Sequence, residues 1–229
     1  NNKSSPIIER NIRLIRSLEY SMVGIRATIT NENLHKQKDI IKYFSQLGIE
    51  NIWVDPIFPS VGKKTLENKF DMMAFAKEFL DACEYAEEKG MSYGSILTCN
   101  FNEEVSQHCR ACIPLPHLTT DGFVSACDMA LFGADSNHMQ PLIFGRWDSS
   151  SNKILYDDNK INILKSRSIG NLAECNNCHS KKHCGGYCLG EVLNETESLF
   201  GCKRSVCEAI RYLDSNMTDS QRNYKFLHP

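Results

Sequence analysis

Residues 175–188, CNNCHSKKHCGGYC, carry four cysteines at the spacing C-x2-C-x5-C-x3-C. Cys202 and Cys207 follow closely. Two thiolates separated by two residues can bind one metal centre from a single turn, and a longer run of cysteines indicates iron–sulfur or zinc ligation. This stretch therefore predicts that the end of the chain folds as a small, cysteine-rich domain around bound metal.

The composition of the whole chain is that of an ordinary globular protein. It has 229 residues, of which 41% are hydrophobic and 24% are charged, with a formal net charge of −2. That charge gives no basic field for nucleic acid or an anionic membrane. No apolar run has the length of a transmembrane helix, and the first residues lack the apolar core of a signal peptide. We therefore expect a cytoplasmic protein with no nucleic-acid and no membrane partner.

The eleven cysteines argue against a disulfide framework. Their number is odd, and they crowd into 99–127 and 175–207, apart from Cys83. A secreted disulfide protein usually has an even number and a short sequence. Metal-bound thiolates in a reducing compartment explain the pattern better.

The first hundred residues predict an α/β fold with a parallel sheet. Strand-like and helical segments alternate there, and glycines end both helices. The predicted strands are 22–30, 51–58 and 92–98. The first predicted helix carries Ile40, Ile41, Phe44 and Leu47 on one face and ends at Gly48, and the second runs from about 70 to 89. Three such units leave unpaired edges and a bare inner face, so they suggest the back half of a barrel or of a larger sheet.

Residues 101–229 change character, and we assign them to a second domain after a first one at 1–100. Prolines, short strands and cysteines replace the regular alternation. Residues 118–127 predict a β-hairpin with Asp121 and Gly122 as its turn. The polar stretch 148–160 predicts a loop, and 206–213 predicts a last short helix.

More cysteines lie upstream of residues 175–188. Cys112, Gly122 and Cys127 are spaced C-x9-G-x4-C, and Cys109 lies just upstream. With the downstream cysteines the chain supplies about eight thiolates, which is enough for two four-coordinate centres. Whether Cys109 is a ligand, and whether Cys202 or Cys207 provides the last one, stays open at this point.

This arrangement resembles radical S-adenosylmethionine (SAM) enzymes with a C-terminal SPASM domain. That family's pattern is C-x9–15-G-x4-C, a gap, and C-x2-C-x5-C-x3-C-x17-C. The chain matches it, with one extra residue before Cys207, which we favour over Cys202 because it directly precedes a predicted helix. The resemblance implies two auxiliary [4Fe–4S] clusters with crossed ligation. Cys109, Cys112, Cys127 and Cys188 would hold the first, and Cys175, Cys178, Cys184 and Cys207 the second.

The resemblance also covers the first domain. The family's catalytic domain is a partial (β/α)6 TIM-like barrel, and residues 24–33, GIRATITNEN, look like its fourth strand and the following turn. The chain would then contain the last three β/α units. The resemblance makes Arg26 the candidate contact for the SAM carboxylate, although a salt bridge with a carboxylate at the strand end is the plainer explanation.

The function that the resemblance implies is the modification of a ribosomally made peptide. A 5′-deoxyadenosyl radical abstracts a hydrogen atom, and a crosslink then closes. That reaction needs SAM and a third [4Fe–4S] cluster on a C-x3-C-x2-C loop, which these 229 residues lack. We therefore expect the chain to be the C-terminal half of a longer enzyme and inactive alone. Its expected partners are the precursor peptide, the N-terminal half of the barrel and an electron donor such as flavodoxin or ferredoxin.

Plainer alternatives exist for the same residues. A zinc-stabilised, non-catalytic binding module would also use the cysteines, with His179 and His183 as further nitrogen ligands. Cys83 lies on the apolar face of a predicted helix and is expected in the core. Cys99 ends a predicted strand and either lies in the core, which we favour, or lines the mouth of the barrel. Cys202 is either a spare ligand or a thiol beside a cluster.

Overall fold

The computed structural model describes residues 4–18, 23–58, 70–133 and 137–223. Within them the chain is a mixed α/β protein with a parallel three-stranded sheet and a separate antiparallel four-stranded sheet. The strands are β1 (Gly24–Ile29), β2 (Asn51–Pro56), β3 (Ser92–Gly94), β4 (His117–Leu118), β5 (Phe123–Ser125), β6 (Ile143–Asp148) and β7 (Lys153–Tyr156). The helices are α1 (Ser5–Ser17), α2 (Gln37–Ser45), α3 (Met72–Glu88), α4 (Asp158–Ser166), α5 (Lys181–Cys184), α6 (Leu189–Thr196), α7 (Arg204–Asn216) and α8 (Asp219–Arg222).

The parallel sheet has the order β1-β2-β3, as the alternation of strands and helices predicts. Ile25 pairs with Ile52, and Ala27 pairs with Val54, so these apolar side chains share one face. The other face carries Arg26 and Thr28, both exposed, beside Trp53 and Asp55. One covered face and one open face are what a segment of a larger sheet would show, but no barrel closes among the described residues, and the partial barrel stays a prediction.

Helix α3 shows why the helices form where the sequence predicts them. The side chain of Asp71 caps it by accepting a hydrogen bond from the backbone N–H of Ala74 at 2.9 Å. Phe75 and Phe79, one turn apart, are fully buried and stack on each other. Gly90 follows with φ +66°, a left-handed conformation that ends helices and that glycine adopts without strain.

Two predicted strands have different limits in the structure. The start predicted at residue 22 lies outside the described residues, and β1 begins at Gly24. The strand predicted over 92–98 was too long, because β3 ends at Gly94. Beyond it, the N–H of Ile96 donates to the carboxylate of Asp55 instead of to a neighbouring strand. Helix α1 was not predicted, although Pro6 opens an amphipathic pattern.

The antiparallel sheet has the order β4-β5-β6-β7 and contains the predicted hairpin. Gly122 has φ +83° in its turn, where glycine is favoured. The prediction of a loop over 148–160 was wrong, because β7 and the start of α4 lie there. The side chains of β7 are mostly exposed, so its sequence shows no clear alternation of apolar and polar residues. The side chain of Asp157 caps α4 by accepting a hydrogen bond from the backbone N–H of Lys160.

Backbone proximity divides the described residues into two compact units. The first contains the residues up to Ile57, Phe70–Asn102 and the residues from Tyr212 onwards. The second contains Phe58 and Glu103–Arg211. All eight cysteines predicted as ligands belong to the second unit. None of the helices in the described ranges has the length and apolar character that crossing a bilayer requires.

Candidate metal centres

Nine of the eleven cysteines form two sets within the second unit. The hairpin set consists of Cys109, Cys112, Cys127 and Cys188, and the thiol of Cys109 acts electrostatically on each of the other three. The downstream set consists of Cys175, Cys178, Cys184, Cys202 and Cys207, which line one cavity. All eleven cysteines lie in the described part of the chain, and none of them forms a disulfide.

The downstream set surrounds a cavity of about 210 Å³. This is several times the ~30 Å³ that one water molecule occupies in the liquid. Cys202 lies between two other members, since its Sγ is 3.9 Å from Cys175 Sγ and it also shares a hydrogen bond with Cys207. The set therefore encloses space for a group larger than a single ion, and it contains one thiol more than a four-coordinate centre needs.

Short turns and helix ends position the downstream sulfurs. The N–H of Cys178 donates to the carbonyl of Cys175 at 3.1 Å, which places both thiols on one turn. Cys184 ends α5, and the backbone N–H groups of Gly186 and Tyr187 donate to its sulfur. Cys207 lies in the first turn of α7, and its hydrogen bond with Cys202 and its burial raise the pKa of its thiol.

The loop between Cys184 and Cys188 consists of three consecutive left-handed residues. Gly185, Gly186 and Tyr187 have φ values of +62°, +87° and +60°. A Cβ at Gly185 would lie 2.6 Å from the backbone of Gln107 and His108, so only glycine fits there. Cys188, which follows this loop, is not among the residues that line the downstream cavity.

Cys188 instead joins the hairpin set. The thiols that act on it most strongly are Cys109 and Cys127, and Cys109 also acts on Cys112. Cys127 comes from the segment after β5, and Cys188 directly precedes α6. The structure thus places Cys188 within electrostatic reach of Cys109 and Cys127, and the ligation of one cluster by the four hairpin-set cysteines stays a prediction.

Backbone donors also face the sulfurs of the hairpin set. The N–H of Met129 donates to Cys127, and the N–H of Glu191 donates to Cys188. Such bonds favour the thiolate form and are one of the means by which proteins tune iron–sulfur centres. Cys112 is fully buried, whereas Cys109 is exposed. Cys127 and Cys188 are partly exposed, so Cys109 is the member of this set that is most open to solvent.

Burial raises the pKa of four of these thiols and so favours their protonated form: Cys112, Cys127, Cys184 and Cys188. It raises the pKa of Cys112 and of Cys184 to about 11, and that of Cys188 to about 12. Cys202 is different, because hydrogen bonds with Cys175 and Cys207 and the nearby charge of Arg167 lower its pKa. Since the thiolate is the metal ligand, metal binding must release protons from both sets.

A mononuclear site is not formed by the side chains as they stand. Among the described residues, no three His, Cys, Asp or Glu side chains come together in a way that could hold one ion. Neither His179 nor His183 lines the downstream cavity, and the ring of His183 instead faces the carbonyl of Glu103 at 3.0 Å. The histidines therefore give no support to a mixed cysteine–histidine zinc site.

The remaining candidate residues lie in the first unit. Arg26 donates two hydrogen bonds to Asp55 Oδ2, at 2.7 and 3.0 Å, which is the salt bridge that the plainer explanation expects. Cys83 and Cys99 are buried, as the apolar pattern predicts.

One residue of the site was missed by the sequence analysis. Arg167 is fully buried beside the thiols of Cys112 and Cys202, one from each set. Nothing local marks it, because an arginine in a polar stretch is expected to be exposed.

Comparisons with known proteins add no assignment, since no family model matches the chain and no curated protein matches it.

Proposed function

We propose that this chain is the auxiliary-cluster portion of a radical SAM enzyme of the SPASM type, which modifies a ribosomally made peptide. The observation that carries the proposal is the position of Cys188, which lies with Cys109 and Cys127 although it is only four residues from Cys184. Simple local ligation by the run 175–188 would keep Cys188 with its neighbours. Crossed ligation of two clusters requires it to leave them.

The donor sets fit two [4Fe–4S] clusters. The hairpin set would hold the first cluster with its four thiols, and Cys175, Cys178, Cys184 and Cys207 would hold the second. The thiols surround a cavity at the downstream set, and backbone N–H groups donate to the sulfurs of Cys127, Cys184 and Cys188. Hydrogen bonds to the ligand sulfurs are among the means by which proteins tune the potentials of iron–sulfur clusters.

When bound, such clusters supply a one-electron acceptor or an iron that can ligate a substrate thiol. The chain's own residues fix the sulfurs, exclude water and donate hydrogen bonds to them. Cys109 is the exposed member of the hairpin set, so substrate would approach the first cluster from its side. If Cys109 is not a ligand, that cluster keeps one iron available for substrate.

The rest of the proposal depends on the resemblance. The hydrogen-atom abstraction and crosslink formation, SAM with its own [4Fe–4S] cluster, the precursor peptide and a flavodoxin or ferredoxin donor all come from it, as does the cytoplasmic location. Arg26 stays the proposed contact for the SAM carboxylate. Its side chain is 65% exposed on the open face of the parallel sheet, and its salt bridge with Asp55 orients the guanidinium.

The test is the metal content of the chain after anaerobic purification and reconstitution. We expect a brown protein with broad absorption near ~400 nm and about eight irons and eight sulfides, since each cluster holds four of each. The variant Cys83→Ala removes a thiol that belongs to neither set and should keep the full content. A colourless protein that contains zinc and no sulfide would contradict the proposal.

One observation favours a second candidate, a zinc-stabilised binding module without catalysis. Two thiolates on one tetrahedral zinc lie about 3.8 Å apart, because each Zn–S bond is about 2.3 Å long. The 3.9 Å between Cys175 Sγ and Cys202 Sγ matches that separation. The same metal analysis distinguishes the two, since this candidate predicts zinc in the downstream set and full retention of metal without sulfide.

A further inference from the structure

Arg167 is a buried cation without a carboxylate partner. It follows α4 directly, and it is the largest side chain in the described residues that is fully buried. Its Nε donates to the carbonyl of Leu199 at 2.6 Å, and its Nη2 donates to the carbonyl of Gly186 at 2.7 Å. Its Nη1 is also buried, and no oxygen or nitrogen acceptor among the described residues is within hydrogen-bonding distance of it.

Lys203, the other buried cation described in the second unit, has the carboxylate partners that Arg167 lacks. Lys203 makes ion pairs with Glu191 at 3.0 Å and with Glu195 at 3.2 Å. None of the ion pairs in the described part of the chain includes Arg167. Buried charges in proteins are normally paired or contact metal centres, because an isolated buried charge is costly. Among the described residues no carboxylate pairs with the guanidinium, and the charge-bearing groups beside it are the thiols of Cys112 and Cys202.

The surroundings of Arg167 contain thiols of both cysteine sets. Gly186 lies in the loop between Cys184 and Cys188, and Leu199 lies three residues before Cys202. The guanidinium lowers the pKa of Cys112 by its charge and by hydrogen bonding, and it lowers the pKa of Cys202 by its charge. It thus stands beside a sulfur of the hairpin set and a sulfur of the downstream set.

We propose that Arg167 is the fixed counter-charge shared by the two clusters, and that its guanidinium raises their reduction potentials. This inference rests on the proposed function, since it requires clusters in both sets. A cluster held by four thiolates is negatively charged and gains one more negative charge when it takes up an electron. A buried positive charge stabilises the reduced form more than the oxidised one, and burial prevents solvent from screening it.

The experiment is a redox titration, followed by electron paramagnetic resonance, of the reconstituted full chain and its variants. In Arg167→Gln we expect the reduction equilibrium of both clusters to shift at least tenfold towards the oxidised form, about −59 mV for a one-electron couple. Arg167→Lys keeps the charge and should recover most of the wild-type potential. Arg110→Gln and Arg204→Gln remove exposed charges beside the hairpin set and the downstream cavity, and should shift the potentials much less.

Three outcomes would decide against the inference or against its basis. Potentials in Arg167→Gln that move no further than in the Arg110 and Arg204 variants would overturn the counter-charge role and leave the proposed function intact. If Arg167→Gln binds no clusters, Arg167→Lys decides: full iron content supports the need for the charge, and loss of iron there too assigns Arg167 a purely structural role. A wild-type chain that binds no iron would overturn both proposals.

Discussion

The glycine between the two sets offers a sharp test of how the chain is routed. Gly185→Ala would place a Cβ 2.6 Å from the backbone of Gln107 and His108, at a residue with φ +62°. Those are backbone atoms, so no side chain can rotate away. The neighbouring segment leads directly to Cys109 and Cys112, and any shift there moves the hairpin set relative to Cys184 and Cys188.

The structure lets the two costs of this substitution be separated. A left-handed alanine costs about 1–2 kcal/mol on backbone grounds alone. Overpacking against a fixed neighbour adds about 1–3 kcal/mol, which gives about 2–5 kcal/mol in all. Gly122→Ala is the matched control in the same unit, because Gly122 has φ +83° and the nearest atom to its Cβ, Trp147 Cβ, is 3.9 Å away. Gly122→Ala should therefore lower the free energy of unfolding only by the backbone cost of about 1–2 kcal/mol.

The assay is urea unfolding of the reduced, metal-free chain in a Trp53→Phe background. Trp147 is then the remaining tryptophan and reports on the second unit. The same variants are reconstituted with iron and sulfide, and Gly185→Ala should lose cluster content while Gly122→Ala keeps it. Equal destabilisation by the two variants, or full iron content in Gly185→Ala, would show that the route of the chain through this loop has been misjudged.

Three further predictions concern the thiols and the buried ion pair. Cys207→Ser should lose one cluster's iron while Cys202→Ser keeps both clusters, because Cys207 lies on the first turn of α7; metal analysis showing the reverse would make Cys202 the ligand. The reduced, metal-free chain should lose stability as pH rises from 9 towards 11, because burial raises the pKa of Cys112 and Cys184 from 9.0 to about 11 and the folded form therefore favours the protonated thiols. Anaerobic urea unfolding at each pH measures this, and a flat profile would speak against buried thiols. Lys203→Met should cost about 3–5 kcal/mol in the same assay, since it leaves Glu191 buried and unpaired, whereas the partly exposed Glu195→Gln should cost about 1 kcal/mol or less. Similar losses of unfolding free energy in Lys203→Met and Glu195→Gln would contradict this prediction.

The fold was predictable where a periodic apolar pattern coincided with a stop signal. Strand β2 and helix α3 alternate or repeat clearly, and Gly48 and Gly90 both adopt the left-handed φ that ends a helix. Strand β7 was not predicted because its side chains are mostly exposed, so its sequence does not alternate between apolar and polar residues. The sequence signal for α4 was nonetheless present, since Asp157 is a favourable capping residue.

The candidate site divides in the same way. Spacing pointed to cysteine ligation in general, whereas the membership of the hairpin set, with Cys188 in it, came from the resemblance; in the structure Cys109 acts electrostatically on the other three thiols of that set. Spacing could not select Arg167, whose role depends on the burial of a residue type that is usually exposed. Spacing also could not tell whether Cys202 or Cys207 is the last ligand. Both thiols line the downstream cavity, so metal analysis of variants is needed to identify the ligand.

Iron counts on paired variants would test whether the two sets hold two clusters with crossed ligands. We expect Cys127→Ala, Cys188→Ala and their double variant each to keep about four irons, because both cysteines would serve one cluster of four. The double variant of Cys178 and Cys188 should keep none. Additive loss in the Cys127 and Cys188 pair, or joint loss of a single cluster in the Cys178 and Cys188 pair, would contradict the crossing.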